Sequence, residues 1–592
     1  MKRVYSRLCS GVRRGGQLPV AVAVCGLLLT PLTTAGAEDR AQLAGQLAIR
    51  VDQVGYPLAA TKVAFTDAKG ARFELRRSSD HKVVFKGKLE AAQTDANSGD
   101  QLRAADFSRF RKAGTYYVSV PGLGRSWNFA IGSNIFDRAY YLAMRGFYGQ
   151  RCGTAVDLGS EFPGYSHPIC HQNGEFHVSS GASGRLVNKG GWHDAGDYGR
   201  YVVNSAFASG TLLWAWENYG KNIEHIALKI PETGNGTPDI LNEVRWNLNW
   251  MLQMQDTDGG VWFKQTSEHF SGFVSPEDDH LPSEVIGTGA PAYKSTCASA
   301  DLAAVGAIAA RTYQKYDAAF AKQALDAARH AWIWAEKNPN ATFRNPAGVS
   351  TGEYGDAHCG DEQLWAAAEL FRTTGEKVYG DYLVQHSAEY LSGLDSPPAE
   401  SWASLAARGL WAYALSGRKS ADPVVVAAIR ARTVAAARKV VERTRANPYR
   451  ISMEAKDFVW GSNGVAAEYG VYLLMANQFE PDAAFVDAAR DNLHYLLGRN
   501  TFSLSWVTQL GEHPFQHPHH RPSGSGKQPG PWPGLLSGGP NAGRQDVVLA
   551  AMAKDLPPAK MYADQQESYA SNEVCLNWQA SLVFLLAGEL QY

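Results

Sequence analysis

Near residue 134 the chain changes texture, and its two parts obey different periodicities. From 47 to about 131, short β-rich runs recur: Val63-Ala64-Phe65, Arg72-Phe73-Glu74-Leu75, Val83-Val84-Phe85 and Tyr116-Tyr117-Val118-Ser119-Val120. Gly70, Gly87, Asn97-Ser98-Gly99, Gly114 and Pro121-Gly122 separate them. Short strands at that spacing predict a β-sandwich of one small module. After Asn134 helical spacing dominates to the C-terminus. About twelve helices are predicted, beginning near 135, 201, 237, 295, 317, 361, 376, 401, 421, 463, 481 and 570. Some starts are explicit: Thr237-Pro238-Asp239, with Pro at a first-turn position, and Pro481-Asp482. Twelve helices fit six hairpins closed in a ring, and fit an α-solenoid equally well. Two long irregular stretches, about 152–200 and 499–569, interrupt the helices. Segments of that length inside a compact domain usually carry function.

The first 37 residues read as a leader. Lys2, Arg3, Arg7, Arg13 and Arg14 precede an apolar run from about Pro19 to Leu29 and a small-residue cleavage site, Ala35-Gly36-Ala37. That is the layout of a secretory signal peptide. The run is too short for a bilayer span, which takes about 20 residues. The mature chain is therefore expected to start near Glu38, to be secreted or periplasmic, and to be free of the membrane. Losing five basic residues and no acidic ones leaves 52 Lys+Arg against 58 Asp+Glu, a net charge of −6. No basic excess remains to neutralise phosphates, which argues against a nucleic-acid partner. Cys9 and Cys25 leave with the leader, and Cys152, Cys170, Cys297, Cys359 and Cys575 remain. With an odd number, at least one stands outside any intramolecular disulfide.

Three segments carry candidate chemistry. In Gly190-Gly191-Trp192-His193-Asp194-Ala195-Gly196-Asp197-Tyr198-Gly199-Arg200-Tyr201, two carboxylates three residues apart sit in a Gly-rich turn before a helix. Glycines leave room for a ligand, and acid–base hydrolysis needs a carboxylate that takes a proton from water. A calcium-binding Asp loop or a pair of helix caps fits the same letters. Trp506–Ser523 gathers His513, His517, His519, His520 and Arg521 in a Pro-interrupted loop suited to metal or to sugar hydroxyls, without the helical spacing of a zinc protease. In Tyr569-Ala570-Ser571-Asn572-Glu573, Glu573 stands at the mouth of an apolar helix, Val574 to Leu590. Read alone, it is a first-turn acid behind an N-cap at Ser571 or Asn572.

Together and in this order, these segments resemble glycoside hydrolase family 9, the inverting cellulase family. Asp194-Ala195-Gly196-Asp197 is similar to its Asp-Ala-Gly-Asp motif, His519-His520-Arg521 to its His-x-Arg signature, and Asn572-Glu573 to its closing signature. Trp460-Gly461-Ser462-Asn463-Gly464 and Gly538-Gly539-Pro540-Asn541 also resemble family segments. The likeness covers about 135–590, and 47–131 resembles the immunoglobulin-like module of one branch. It implies an immunoglobulin-like β-sandwich over 47–131 followed by an all-α (α/α)6 barrel over 135–592. It implies Asp197 as general base, Asp194 as its helper and Glu573 as general acid, on carboxyls roughly 6.5–9.5 Å apart for inversion. His519, Arg521, Tyr569 and Trp460 would bind sugar. The chain departs from the pattern at Cys575, where a small residue is usual, and at Gln579 and His513. These departures put subsite detail in doubt and touch no catalytic carboxylate.

Cys152, Cys170, His171 and His193 form a Cys2His2 set suited to tetrahedral zinc, and a Cys152–Cys170 disulfide with unrelated histidines is the other reading. The resemblance implies a structural zinc on these four. Glu353, Asp356, Asp361 and Glu362 are hard ligands suited to calcium, which the family binds near an Asp-Glu pair opening a helix. For Asp361 and Glu362, complementarity to the helix dipole competes. The expected activity is an endo-acting β-1,4-glucanase, a monomer acting on β-1,4-glucan or cello-oligosaccharides. The alternatives are an exo-acting cellodextrinase, β-glucosidase or glucosaminidase of the same family, a metal-dependent hydrolase, and a non-catalytic sugar-binding protein.

Overall fold

The computed structural model describes residues 43–590, apart from 188 and 398–399. The leader and its cleavage site lie outside the described residues.

The N-terminal module is a two-sheet sandwich. Strands β1 (Ile49–Arg50), β2 (Gly55–Pro57), β3 (Val63–Thr66), β4 (Arg72–Arg77), β5 (Val83–Lys88), β6 (Gln93–Thr94), β7 (Gln101–Asp106), β8 (Gly114–Val120), β9 (Gly124–Arg125) and β10 (Phe129–Gly132) build it. One sheet runs β1-β3-β7-β6 and the other β2-β10-β8-β4-β5, with β9 on β8. Alternation explains the packing. Phe73 and Leu75 of β4 point inward, with Val118 and Val120 of β8, while their neighbours face out.

Among the described residues, twelve helices of nine residues or longer follow. They are α1 (Asp137–Gly149), α2 (Val202–Ile223), α3 (Asp239–Gln253), α4 (Thr296–Tyr313), α5 (Ala318–Lys337), α6 (Gly360–Thr374), α7 (Lys377–Tyr390), α8 (Ala406–Ala414), α9 (Pro423–Ala446), α10 (Ser462–Phe479), α11 (Ala483–Leu496) and α12 (Leu576–Glu589). The even-numbered helices form an inner ring. α2 packs on α4, α4 on α6 and α6 on α8. Trp411 of α8 meets Tyr472 of α10 at 5.2 Å. α10 packs on α12, and α12 closes the ring on α2. Inner helices touch protein on every side, which is why α4 and α12 are apolar or small nearly throughout. Outer helices such as α5 and α9 keep a charged face toward water. Among the described residues no helix is long and apolar enough to cross a membrane.

Two sequence readings shift by a few residues. Pro238 caps α3 from the N-cap position rather than from its first turn. The last helix starts at Leu576, behind Cys575, so Glu573 is extended backbone and not a first-turn acid. Cys297 and Cys359 form a disulfide joining the starts of α4 and α6, and Cys152, Cys170 and Cys575 are free thiols.

The sandwich is bolted to the barrel by polar contacts. Asp52 and His494 of α11 pair at 2.6 Å, both fully buried. Gln53 accepts from the backbone N–H groups of Glu512 and His513 at 2.9 and 2.7 Å. Asp100 accepts from Tyr449, Thr501 and Lys560.

Candidate active site

A cleft of about 1200 Å³ opens over the ring. Asp194, Asp197, Trp460, His519, Arg521, Tyr569 and Glu573 all line it, although they lie up to 379 residues apart in sequence.

Backbone hydrogen bonds explain the convergence. Arg521 donates its backbone N–H to Gly196 O at 2.9 Å, and its guanidinium donates to the same oxygen at 2.9 Å. His519 N–H donates to Asn572 O, and His519 pairs with Glu573 as an isolated parallel bridge. Leu576 N–H donates to Asp194 O at 2.9 Å. That third contact forces the chain at 573–575 to be extended, against the capping preference. Gly196 is required by closeness: a Cβ there would lie 2.0 Å from the His519 carbonyl oxygen.

Each carboxylate has its own partners. Asp197 Oδ2 accepts from the Tyr201 hydroxyl and from Gly199 N–H, both at 3.0 Å. Asp194 Oδ1 accepts from Asn204 at 2.7 Å, and Oδ2 from the Tyr354 hydroxyl at 2.5 Å. Burial first, and then the charge of Asp197, push Asp194 up to about 8, against the hydrogen bonds of Tyr354 and Asn204. Two adjacent carboxylates cannot both ionise cheaply, so one keeps a proton. Glu573 is also raised to about 8, by burial and then by Asp197, against the pull of the Arg521 guanidinium.

The walls carry aromatic and polar groups. Trp460 is 39% exposed and its ring lies 5.4 Å from Tyr569, whose hydroxyl donates to Gln545 O. His519 is held below its ordinary pKa by burial, and its Nδ1–H donates to Gln566 O, which leaves Nε2 as an acceptor. The Arg521 guanidinium also donates to Ser271 O and lies over Phe270 and Phe273. The other histidines of that loop stand elsewhere. His520 is buried on Gln150 and Ser523, His517 pairs with Asp564, and His513 stacks on Trp127 of the sandwich. Sequence reasoning gave no role to Tyr201, which closes the Asp194–Asp197 segment four residues after Asp197, and it missed Tyr354 and Trp402, whose ring lies 5.0 Å from Tyr354. No local pattern marks the last two.

Cys152, Cys170, His171 and His193 converge beside this loop, with ligand atoms all within 4.8 Å of one another. His171 Nδ1 and His193 Nδ1 are buried without partners, while Asp279 holds His171 Nε2 at 3.4 Å. A carboxylate behind a ligating imidazole is the usual support of a metal ligand. The acidic group is arranged less simply. Asp361 and Glu362 open α6, and Asp301 of α4 faces them, with both its oxygens and both of Glu362 buried and unpartnered. Burial first, then Asp361 and Asp356, push Asp301 well above the ordinary carboxylate range. Asp301 escaped the sequence reading. Glu353 sits on the cleft wall instead, salt-bridged to Arg344 at 2.9 Å and accepting from Asn345 N–H.

Comparison with known proteins gives the family. The glycosyl hydrolase family 9 model matches residues 136–586, and the cellulase N-terminal ig-like domain model matches 44–125. Endoglucanase D of Acetivibrio thermocellus is 33% identical over 96% of this chain and 87% of its own length. The xyloglucan-specific endo-beta-1,4-glucanase BoGH9A of Bacteroides ovatus is 34% identical over 91% of this chain and 93% of its own. The structure of a metagenome-derived family 9 endoglucanase superposes with a TM-score of 0.83 at 36% identity, covering 92% of this chain and 99% of that one. The chain belongs to glycosyl hydrolase family 9, in the branch with an N-terminal immunoglobulin-like domain.

Proposed function

We propose that this glycoside hydrolase is an exported endo-acting β-1,4-glucanase that cleaves with inversion. The observation that carries the reading is the meeting, in one cleft, of a raised Glu573 with Asp194 and Asp197, each held by a tyrosine hydroxyl. Glu573 keeps its proton at neutral pH and can give it to the departing glycosidic oxygen. Asp197 takes the proton of a water attacking the opposite face of the sugar, and Asp194 orients that water. His519 Nε2 and the guanidinium of Arg521 would hold hydroxyls beside the cut, with Trp460 and Tyr569 as ring platforms.

Zinc suits the Cys2His2 cluster, because soft thiolates and imidazoles at this spacing fit a tetrahedral ion. It would pin His193, next to Asp194, without entering the reaction. Calcium suits Asp301, Asp356, Asp361 and Glu362, where unpartnered buried carboxylate oxygens call for a cation. The endo reading is tested by following products from carboxymethyl-cellulose and cellopentaose over time. A rapid fall in viscosity with mixed oligosaccharides is expected, and glucose or cellobiose as the sole early product would favour the exo alternative.

A further inference from the structure

Lys264 is fully buried in a short strand, Lys264–Thr266, that pairs with Arg200–Tyr201 directly behind Asp197. Among the described residues no carboxylate lies within ion-pair distance of its ammonium. Its three donors go instead to one loop: to Asn345 Oδ1 at 2.7 Å, Thr351 Oγ1 at 3.1 Å and Gly352 O at 2.8 Å. A buried lysine is costly, and an apolar side chain would fill the same space more cheaply, so a role beyond filling is indicated. Burial indeed lowers its pKa to about 7.

The loop it grips addresses both aspartates. Gly352 N–H donates to the Tyr201 hydroxyl at 3.1 Å, which fixes the direction in which that hydroxyl donates to Asp197. Two residues on, Tyr354 donates to Asp194. Tyr354 lies at φ 45°, in the left-handed region, where a bulky residue stays only if its surroundings over-determine it. The rings of Tyr201 and Tyr354 are 4.8 Å apart, and the ammonium lies 5.5 Å from the Tyr201 ring centre.

We propose that Lys264 is a positioning residue: by fixing the 345–354 loop it aims the Tyr201 and Tyr354 hydroxyls that orient Asp197 and Asp194. The proposal rests on the assignment of Asp197 as general base. A misplacement of about 1 Å at a reacting group can cost on the order of 100-fold in rate. Lys264→Met, folded by near-UV circular dichroism, should therefore lose roughly 100-fold in kcat on carboxymethyl-cellulose. Its KM and its Kd for cellobiose should move by less than about threefold, since His519, Arg521, Trp460 and Tyr569 make their hydrogen bonds and ring contacts outside the 345–354 loop. In a Tyr201→Phe/Tyr354→Phe background the same substitution should cost only a few-fold, because residues acting through one network are not additive. A folded Lys264→Met with kcat near wild type, or an equal loss in both backgrounds, would overturn the proposal. If Lys264→Met does not fold, Thr351→Val removes one acceptor of Lys264 at nearly constant shape, and Thr266→Val, which removes the bond of Thr351 to Thr266 but no acceptor of Lys264, serves as its control. A kcat loss of about tenfold at constant KM, absent from the control, then supports the proposal, and an unchanged kcat or an equal loss in the control overturns it. Asp197→Ala is assayed alongside. Full activity there would remove the base assignment itself, whereas an inactive Asp197→Ala beside an active Lys264→Met sinks Lys264 alone.

Discussion

As the proposed acid, Glu573 holds a proton in the same cleft as Asp194 and Asp197, and this arrangement has a measurable cost. Its folded pKa, about 8, lies above the ordinary 4.5, so the folded state binds the proton more tightly than the unfolded state. The stability it contributes is complete below the ordinary value and is lost as pH rises through about 8. Glu573→Gln should flatten the decline of Tm between about pH 5 and pH 9 and abolish turnover of cellulose. On wild type, kcat/KM should fall above about pH 8 as the acid ionises. Glu573→Ala should retain more activity on aryl glycosides with good leaving groups, which need less protonation. Asp197→Ala should regain activity with azide, giving a product of inverted configuration; no azide effect would contradict the base assignment. Asp194-Ala195-Gly196-Asp197 was legible because a paired acid in a Gly-rich turn is a local pattern. Tyr354 and Lys264 were not, because their partners lie 160 and up to 88 residues away and each looks ordinary in its own segment, while Tyr201 stood in the motif with nothing to mark its hydroxyl as a partner of Asp197.

At the scale of elements, periodicity placed all twelve long helices but set the starts of α8 and α12 several residues early, near 401 and 570 rather than at Ala406 and Leu576. Capping letters at Ser571 and Asn572 lost to the bonds that hold Glu573 beside His519. The acidic letters around 353–362 likewise read as one cluster. Space divides them, with Glu353 on the cleft wall and Asp301 of α4 facing Asp361 and Glu362. A residue contributed by a neighbouring helix has no signature in the segment it completes. The stretch from Cys152 to His193, read from sequence as irregular, is held only by short strands such as Asn173–Phe176 and Arg185–Val187 at the edge of a five-stranded sheet, so its order should depend in part on a metal. Cys170→Ala should lower Tm first and activity second, and elemental analysis should find about one zinc per wild-type chain and less in the variant. A zinc-free wild type, or a Cys152–Cys170 disulfide by mass spectrometry, would contradict this.

Across the whole molecule, a sandwich that carries no paired acids in a Gly-rich turn supports a barrel that does the chemistry. Gln53 holds Glu512 and His513, and Asp52 pairs with His494 inside the interface. The sandwich thus braces the loop that leads to His519. Deleting residues 38–131 should lower Tm and reduce activity mainly through misfolding, since buried polar partners would be left unpaired. A truncated chain with full activity and unchanged Tm would refute this bracing. The change of texture near residue 134 revealed both domains, whereas their docking depends on single polar residues that no periodicity announces. The ring brings Glu573, near the end of the chain, into one cleft with Asp197, and the proposed inversion requires that they act on opposite faces of the sugar. The most direct measurement is NMR of the first product formed from a β-linked cello-oligosaccharide, recorded before mutarotation. The account predicts the α-anomer, and the β-anomer as first product would contradict it.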